Sequence, residues 1–153
     1  MRRVSRDGNC GSNRRDLVLV RARVLVSGSA EGRLLRLKAP ISLWGGINPK
    51  NGLVTDPRHP DYGTNITGTV LAIPGAVGSS SSSAIMLELL REGTAPAAVI
   101  MGCADAILAL GVLVSIELGH PACPVLEVKL TALDGVSEGA LLRITSEGLI
   151  LRP

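Results

Sequence analysis

The residues with the clearest capacity for chemistry are five consecutive serines, Ser79–Ser83, which follow the glycines Gly75 and Gly78 and precede an apolar helical pattern. The N-terminus of a helix presents unpaired backbone N–H groups and the positive end of the helix dipole, and it therefore binds phosphate or carboxylate. The same N–H groups stabilise a serine oxygen that has lost its proton, which a serine needs in order to act as a base. A plainer interpretation stays open, in which Ser82 or Ser83 caps the helix and the other serines fill a polar loop.

The residues around the serines exclude two familiar glycine-containing motifs. No Gly-Lys-Ser/Thr triplet follows the glycines, so the run is not a Walker motif. The Gly-x-Ser-x-Gly pattern of a nucleophile elbow is also absent from this stretch. Three interpretations of the serine run therefore remain: an anion-binding site, a base at a helix N-terminus, and a polar loop that caps the helix.

The other reactive side chains are isolated in the sequence. His59 follows Arg58 in a proline-containing loop and precedes Pro60, a position typical of a structural or interface residue, although a base or a substrate contact stays open. Asp105 is predicted to start a helix, and Cys103 is predicted to be a core thiol. No Ser-His-Asp arrangement for nucleophilic catalysis can be assembled from these residues.

The serine run is predicted to connect a strand to a helix within a βαβ unit. Thr69–Ile73 is an apolar run typical of a buried strand, and Ser83–Glu92 places its apolar residues on one helical face before Gly93. Ala97–Met101 is a second buried strand that completes the unit. The preceding loop, Gly45–Gly68, contains three prolines and five glycines, and a loop of this length in a compact domain is typical of function or partner contact.

The remaining chain is predicted to be rich in strands. The elements outside the βαβ unit are strands at Leu17–Val26, Arg33–Lys38 and Pro124–Leu130, a hairpin at Leu141–Leu151, and a short helix at Ala104–Leu110. Gly111 interrupts the apolar stretch that follows, and Val112–Glu117 fits either a helix or a strand. About seven strands and two helices predict an α/β fold class that is mostly β.

The composition predicts one domain, residues 16–153, behind a disordered basic tail, residues 1–15. A hydrophobic content of 46% allows a buried core, which must be aliphatic because the chain has one Trp, one Tyr and no Phe. This scarcity of aromatic residues argues against a nucleic-acid binder that stacks bases. No apolar run reaches the roughly 18 residues that span a bilayer and no signal-peptide pattern is present, so a cytoplasmic protein outside the membrane is predicted.

The three cysteines, Cys10, Cys103 and Cys123, are far apart in the sequence, and none belongs to a CxxC pair. An odd number of cysteines without a secretory signal predicts reduced thiols in the cytosol. A zinc or iron–sulfur site takes about four ligands, so no metal site built from this chain alone is predicted.

Five segments in combination resemble the small subunit, or swivel domain, of the aconitase X group. These segments, which extend the resemblance over about Val20–Val128, are Trp44–Pro49, Gly52–Pro60, Gly68–Pro74, Gly78–Ser80 and Thr94–Ile100. The resemblance implies the swivelling β/β/α fold of the aconitase superfamily. It also implies half of an enzyme, a hydro-lyase that is active only with a separate large subunit holding an iron–sulfur cluster.

The resemblance also implies roles for single residues. Ser79 would be the base that takes a proton from the carbon next to the substrate carboxylate, while the iron of the partner's cluster acts as a Lewis acid on the leaving hydroxyl. Backbone N–H groups near Ser80 and Ser81 would steady the alkoxide or the carboxylate. The implied substrate contacts are Gly78, Ser80, Ser81, Gly45, Gly46 and His59.

Three functions remain open under this resemblance. The known activities of the group are the dehydration of cis-3-hydroxy-L-proline and of phosphomevalonate. Aconitase itself has an arginine after its Gly-Ser-Ser, where this chain has Ser81, so a tricarboxylate substrate is not expected and cis-3-hydroxy-L-proline is preferred. Phosphomevalonate is the alternative, although the loop offers its phosphate only Lys50 and Arg58. A non-catalytic swivel domain that binds a partner or an anion is the third hypothesis.

Overall fold

The computed structural model describes residues 16–78 and 80–153. The predicted basic tail, residues 1–15, and the predicted base, Ser79, lie outside the described residues. The described strands are β1 (Leu17–Arg21), β2 (Arg23–Val26), β3 (Ala30–Arg36), β4 (Ile47–Asn48), β5 (Leu53–Val54), β6 (Val70–Ile73), β7 (Ala98–Met101), β8 (Val125–Glu127), β9 (Leu141–Ile144) and β10 (Leu149–Arg152). The described helices are α1 (Leu43–Gly46), α2 (Ser81–Glu92) and α3 (Ala106–Glu117), with a 3-10 turn at Leu130–Leu133.

Eight of these strands form one sheet in the order β1-β10-β9-β3-β6-β7-β8-β2, while β4 and β5 pair as a separate hairpin. β1 and β2 are one extended segment interrupted only at Ala22, so both ends of the sheet belong to the same segment. At this bend the Ala22 amide donates to the Gly148 carbonyl at 2.8 Å. The sheet therefore curls into a barrel, and the closure covers strand edges that would otherwise be exposed.

The side chains of the parallel strands β6 and β7 alternate between two cores. The barrel interior takes in Val70, Ala72, Ala98 and Ile100. The opposite face of the same strands packs beneath the helices through Leu71, Ile73, Val99 and Met101. Because both faces are buried, these strands have unbroken apolar sequences rather than an apolar and polar alternation.

The helices α2 and α3 cover the outer face of these strands and pack against each other. Leu89 of α2 and Leu108 of α3 are both buried in this core. Gly111 allows the close approach of the two helices, because a Cβ atom at this position would lie 2.4 Å from the Ser83 carbonyl oxygen. α2 ends at Gly93, whose φ of 75° is a left-handed conformation that favours glycine.

The structure confirms the predicted βαβ unit and the predicted C-terminal hairpin. β6, α2 and β7 follow one another along the chain and the two strands are parallel, whereas β9 and β10 pair in the antiparallel sense. The mixed α/β class with a majority of strands is also confirmed among the described elements.

Several predicted boundaries were wrong, among them the strand Arg33–Lys38, which is β3 at Ala30–Arg36, and three others have a clear physical reason. α2 begins at Ser81 rather than at Ser83, since the Ser83 hydroxyl donates back to the Ser80 carbonyl at 2.8 Å and so lies within the first turn. α3 continues through the ambiguous segment because Gly111 serves the contact with α2 and does not break the helix. The predicted strand Pro124–Leu130 gives way after β8 to the 3-10 turn, which brings Leu133 into the barrel interior.

Candidate functional site

The connection from β6 to α2 is fixed by pairing with the segment that precedes α1. The Ile41 amide donates to the Gly75 carbonyl at 3.3 Å, and the Val77 amide donates to the Ile41 carbonyl at 3.0 Å. These hydrogen bonds accompany a parallel bridge between Ile41 and Ala76. The chain therefore enters the serine run from a backbone whose direction is set by its neighbour.

Gly78 is the last described residue before the predicted base, and its position requires glycine. Its φ of 114° lies in the region that side chains disfavour, and a Cβ atom would meet the Ser42 Oγ at 3.1 Å. The Ser42 hydroxyl donates to the Trp44 carbonyl at 3.1 Å and stands beside this turn. Sequence reasoning missed Ser42, and its only signal was that it immediately precedes the Leu43-Trp44-Gly45-Gly46 stretch.

The serine residues after Ser79 form the start of α2. Ser80 occupies the N-cap position, but within the described part of the chain its side chain makes no capping hydrogen bond to the helix. Ser81 and Ser82 lie in the first turn, and Ser82 is buried. The alternative in which Ser82 or Ser83 caps the helix is therefore wrong, whereas the first-turn N–H groups of α2 do lie directly after Ser79 in the chain.

The glycine pair after Trp44 forms a tight turn at the other side of the site. Gly45 has a φ of 74°, and its carbonyl accepts a hydrogen bond from the Thr55 hydroxyl at 3.2 Å. The Gly46 carbonyl accepts from the Thr55 amide at 2.8 Å. Gly46 is buried, and a Cβ atom there would meet Ile41 Cγ1 at 3.2 Å, so a larger residue would press on the segment that pairs with the β6–α2 connection.

An open cleft of about 520 Å³ lies between this glycine turn and α2. Its lining combines apolar and small polar groups: Trp44, Gly45, Ile47, Asn48, Pro49, Thr55 and Ile85. Ile85 belongs to the second turn of α2, so the cleft lies close to the helix start. The structure thus brings Gly45 and the first turns of α2 to one surface.

The structure places His59 inside the loop rather than at the cleft. The Asp61 amide donates to His59 Nδ1 at 3.1 Å, and His59 Nε2 lies 3.1 Å from the Ala39 carbonyl oxygen. This pattern assigns the ring proton to Nε2, which donates to Ala39. The Nε2 bond therefore holds the loop to the segment after β3, whereas the Nδ1 bond stays within the loop. The role of His59 as a substrate contact stays a prediction.

The connection from β7 to α3 lies beside the connection that carries the serines. A Cβ atom at Gly75 would stand 4.0 Å from Cys103 Cβ. Cys103 is exposed, so the prediction of a core thiol was wrong: β7 ends at Met101, and the thiol lies two residues later, in the turn. The prediction that Asp105 starts a helix is confirmed, because its Oδ1 accepts hydrogen bonds from the Ile107 amide at 2.8 Å and the Leu108 amide at 3.4 Å.

Glu127 fixes the position of the β7–α3 connection from the end of β8. Its Oε1 accepts from the Ala104 amide at 3.0 Å, and its Oε2 lies 3.0 Å from the Arg23 guanidinium. The amide hydrogen bond first, and then the guanidinium, lower the pKa of Glu127. Cys123, at the other end of α3, is buried, and burial raises the pKa of its thiol to about 12.

Metal ligation and membrane insertion can be examined only in residues 16–78 and 80–153. In this part of the chain no group of three or more His, Cys, Asp and Glu side chains lies close enough to hold a metal ion. The described side chains therefore do not fit an iron–sulfur cluster, and no chemistry is assigned to a cluster in this chain. Also within these residues, no helix has both the length and the apolar character needed to cross a bilayer.

Two sequence relatives match well over half of this chain. The chain is 44% identical over 107 residues to a cis-3-hydroxy-L-proline dehydratase of Pseudomonas aeruginosa, a match that covers 70% of this chain and 18% of that enzyme. It is 38% identical over 96 residues to a phosphomevalonate dehydratase small subunit of Pyrococcus furiosus, a match that covers 63% of this chain and 72% of that subunit. The chain thus spans less than a fifth of the length of the bacterial enzyme.

A solved structure and a family profile agree with these relatives. The crystal structure of Thermococcus kodakaraensis aconitase X in its holo-form superposes with a TM-score of 0.75 and 29% identity over 86% of this chain and 95% of that chain. The expected swivelling β/β/α fold is thereby confirmed. The profile of the aconitase X swivel domain matches residues 19–151, nearly the whole chain. The fold and the profile match agree, and this chain belongs to the aconitase X swivel domain family.

Proposed function

We propose that this chain is the small subunit of an aconitase X-type hydro-lyase and that its substrate is cis-3-hydroxy-L-proline. The observation that carries the proposal is the start of α2, with Ser80 at its N-cap, which comes after the buried parallel strand β6 in the chain and lies near the cleft beside Gly45. The identity to the hydroxyproline enzyme, 44%, exceeds the 38% identity to the Pyrococcus furiosus small subunit.

In this proposal Ser79 is the base. In the sequence it follows Gly78 and precedes the start of the 12-residue helix α2, and the positive end of a helix dipole favours a negative charge. The proposal assigns the stabilisation of a serine alkoxide or of the substrate carboxylate to backbone N–H groups at the start of α2, near Ser80. In the proposal the turn at Gly45 forms the opposite wall of the substrate cleft, while Gly46 is buried behind it.

The dehydration proceeds by loss of a proton from C2 and of the hydroxyl from C3. The Ser79 oxygen takes the C2 proton, the electron pair of that bond forms the C2=C3 double bond, and the hydroxyl leaves C3 and departs as water after protonation. The carbanion that develops next to the carboxylate explains why donors at a helix N-terminus are needed. Departure of the hydroxyl is assigned to the large subunit, which we propose also holds the iron–sulfur cluster.

Phosphomevalonate is the second candidate, and the archaeal small subunits favour it because this chain covers 72% of one of them. The charged residues of the Gly45–Gly68 loop argue against phosphomevalonate. Arg58 is already paired with Asp56 at 3.2 Å, and the Arg58 amide and then its guanidinium lower the pKa of the Asp56 carboxyl. Asp56 is therefore an anion beside the guanidinium, which makes Arg58 a poor partner for a phosphate.

The substrate is tested with the small chain assembled with the large subunit from the same organism. The expected result is turnover of cis-3-hydroxy-L-proline and none by either chain alone. Turnover of phosphomevalonate instead would move the function to the second candidate. Absence of turnover with both substrates, from an assembled pair loaded with its cluster, would favour a swivel domain that only binds.

The base is tested by a matched pair of alanine variants in the serine run. Ser79→Ala should lower kcat about 10³-fold, the usual contribution of a positioned base. Ser83→Ala, which removes only the hydrogen bond to the Ser80 carbonyl, should change kcat by less than about threefold. Equal kcat values for the wild type and Ser79→Ala would show that this hydroxyl is not the base.

A further inference from the structure

The outer face of α3, defined by Ile107, Leu110, Leu113 and Val114, is apolar although it faces away from the barrel. The exposed fractions of these four residues lie between 36% and 50%. No charged residue occurs in α3 before its last position, Glu117. A helix that is hydrophobic on all sides is normally buried on all sides, so this face is expected to be covered in the working protein.

The outer face of α3 is continuous with the candidate active site. A groove of about 250 Å³ separates α3 from the first turns of α2 and is lined by Ser83, Ala84, Leu87, Leu110, Gly111 and Val114. Because Gly111 has no side chain, α3 approaches the backbone of Ser83, four residues after the predicted base. A partner that covers this face also reaches the start of α2.

The comparison with the bacterial relative indicates what kind of partner covers the face. In the Pseudomonas aeruginosa enzyme the segment that matches this chain is 18% of a single polypeptide, so the swivel domain there is attached to a much larger remainder. A separate small subunit has no such covalent link and must hold the larger partner through its own surface. The chain's own first 15 residues are a poor cover, because they contain five arginines and, as large apolar residues, only Met1 and Val4.

We propose that the outer face of α3 and the α2–α3 groove are the docking surface for the large subunit. The grounds are the apolar character of this face, its continuity with the candidate site, and the much greater length of the bacterial relative. The inference rests on the proposed function and deepens it, since it names the surface through which the two subunits assemble. The partner presents an apolar surface of its own, because burial of apolar side chains on both sides supplies most of the free energy of such contacts.

The test measures the dissociation constant of the small chain and its large subunit by titration calorimetry. The double variant Leu110→Glu, Leu113→Glu places two charges on the docking surface and should raise Kd at least about 30-fold, as hot-spot substitutions do. Leu141→Glu is the matched control: Leu141 has a similar exposed fraction, 40%, but lies on β9 of the barrel, and its variant should bind like the wild type.

A second measurement does not depend on the variants folding. Amide hydrogen exchange of the wild-type small chain should slow in residues 106–118 when the large subunit is added, and should stay unchanged in residues 141–152.

A third measurement is the turnover of the double variant. With saturating large subunit, the double variant should keep its kcat within about twofold, because the outer face holds the partner and does not touch the substrate.

Failure of this inference and failure of the proposed function give different results. A wild-type pair that turns over substrate while the double variant binds with wild-type Kd overturns the docking surface and leaves the function intact. A small chain that forms a dimer by itself, which the double variant dissociates, also overturns it, since the face then covers a second copy. A wild-type pair that neither associates nor turns over substrate overturns both.

Discussion

The two long helices of this domain have the same length, 12 residues each, and pack against the same strands, yet their outward faces are opposite in character. α2 turns Glu88, Arg91 and Glu92 outward in its last turns, where Arg91 bonds both carboxylates. α3 turns apolar side chains outward between charged residues at its two ends, Asp105 and Glu117. α2 is therefore a helix with one buried face, whereas α3 has the composition of a helix that is buried on two opposite faces.

In the proposed enzyme this difference distinguishes a helix that serves catalysis from a helix that serves assembly. α2 is placed by its one apolar face, and its start lies near the cleft that Ile85 of its second turn helps to line. α3 is placed against α2 by Gly111 and extends an apolar surface from the same site. In the proposed enzyme the first helix supplies chemistry and the second supplies the partner.

The largest expected effect is a difference in reaction rate between the two thiols on either side of α3, Cys103 before it and Cys123 after it. Because burial raises the pKa of Cys123 to about 12, only about one molecule in 10⁴ carries its thiolate at pH 8. In a Cys10→Ser background, dithionitrobenzoate should react with exposed Cys103 at least about 10³-fold faster than with Cys123. The two rates are read from absorbance and peptide mapping, and Cys123 should react fast only after denaturation. Similar rates in the folded protein would mean that the end of α3 is open to solvent.

A smaller effect is expected at the contact between the two helices. Replacing a glycine inside a helix by alanine normally stabilises a protein by about 1 kcal/mol. Gly111→Ala should instead destabilise by about 2 kcal/mol, since its Cβ would lie 2.4 Å from the Ser83 carbonyl oxygen. Urea unfolding measures the change. Gly135→Ala is the control, because no atom lies within 4 Å of a Cβ atom there. A stabilised Gly111→Ala protein would refute the close contact of α2 and α3.

The smallest effect distinguishes the two helix starts. The Asp105 side chain accepts two amide hydrogen bonds at the start of α3, so Asp105→Ala should lower the free energy of unfolding by about 1 kcal/mol. Ser80→Ala should lower it by less than about 0.5 kcal/mol, because the Ser80 side chain makes no capping bond to the described first turn of α2. Thermal unfolding of both variants gives the comparison. An equal loss would mean that the start of α2 is capped by its own serine rather than left to a ligand.

The same contrast explains how much could be predicted from the sequence. The apolar face of α2, its glycine stop and the unbroken strands on either side are local signals, and they predict the βαβ unit around the serines. α3 lacks such a signal, since residues that are apolar on every side have no periodicity and Gly111 resembles a break. In the proposed assembly this ambiguity has a physical cause, because the large subunit covers a second apolar face of α3.

Long-range contacts account for the features that the sequence did not predict. The bend at Ala22 depends on a hydrogen bond to Gly148, and the closure of the barrel depends on that bend. Ser42 becomes part of the site only because it lies against Gly78. His59 is buried because backbone groups of Ala39 and Asp61 occupy its ring. None of these contacts produces a periodic or local pattern in the sequence.

The most direct test of a serine base at the start of α2 follows the proton itself. The assembled pair is given cis-3-hydroxy-L-proline carrying deuterium at C2, and release of the label to water is followed by mass spectrometry. The wild type should release the deuterium and turn over more slowly than with the unlabelled substrate. A Ser79→Ala pair of unchanged Kd should retain the label. Release of deuterium by that variant at the wild-type rate would contradict a base at residue 79.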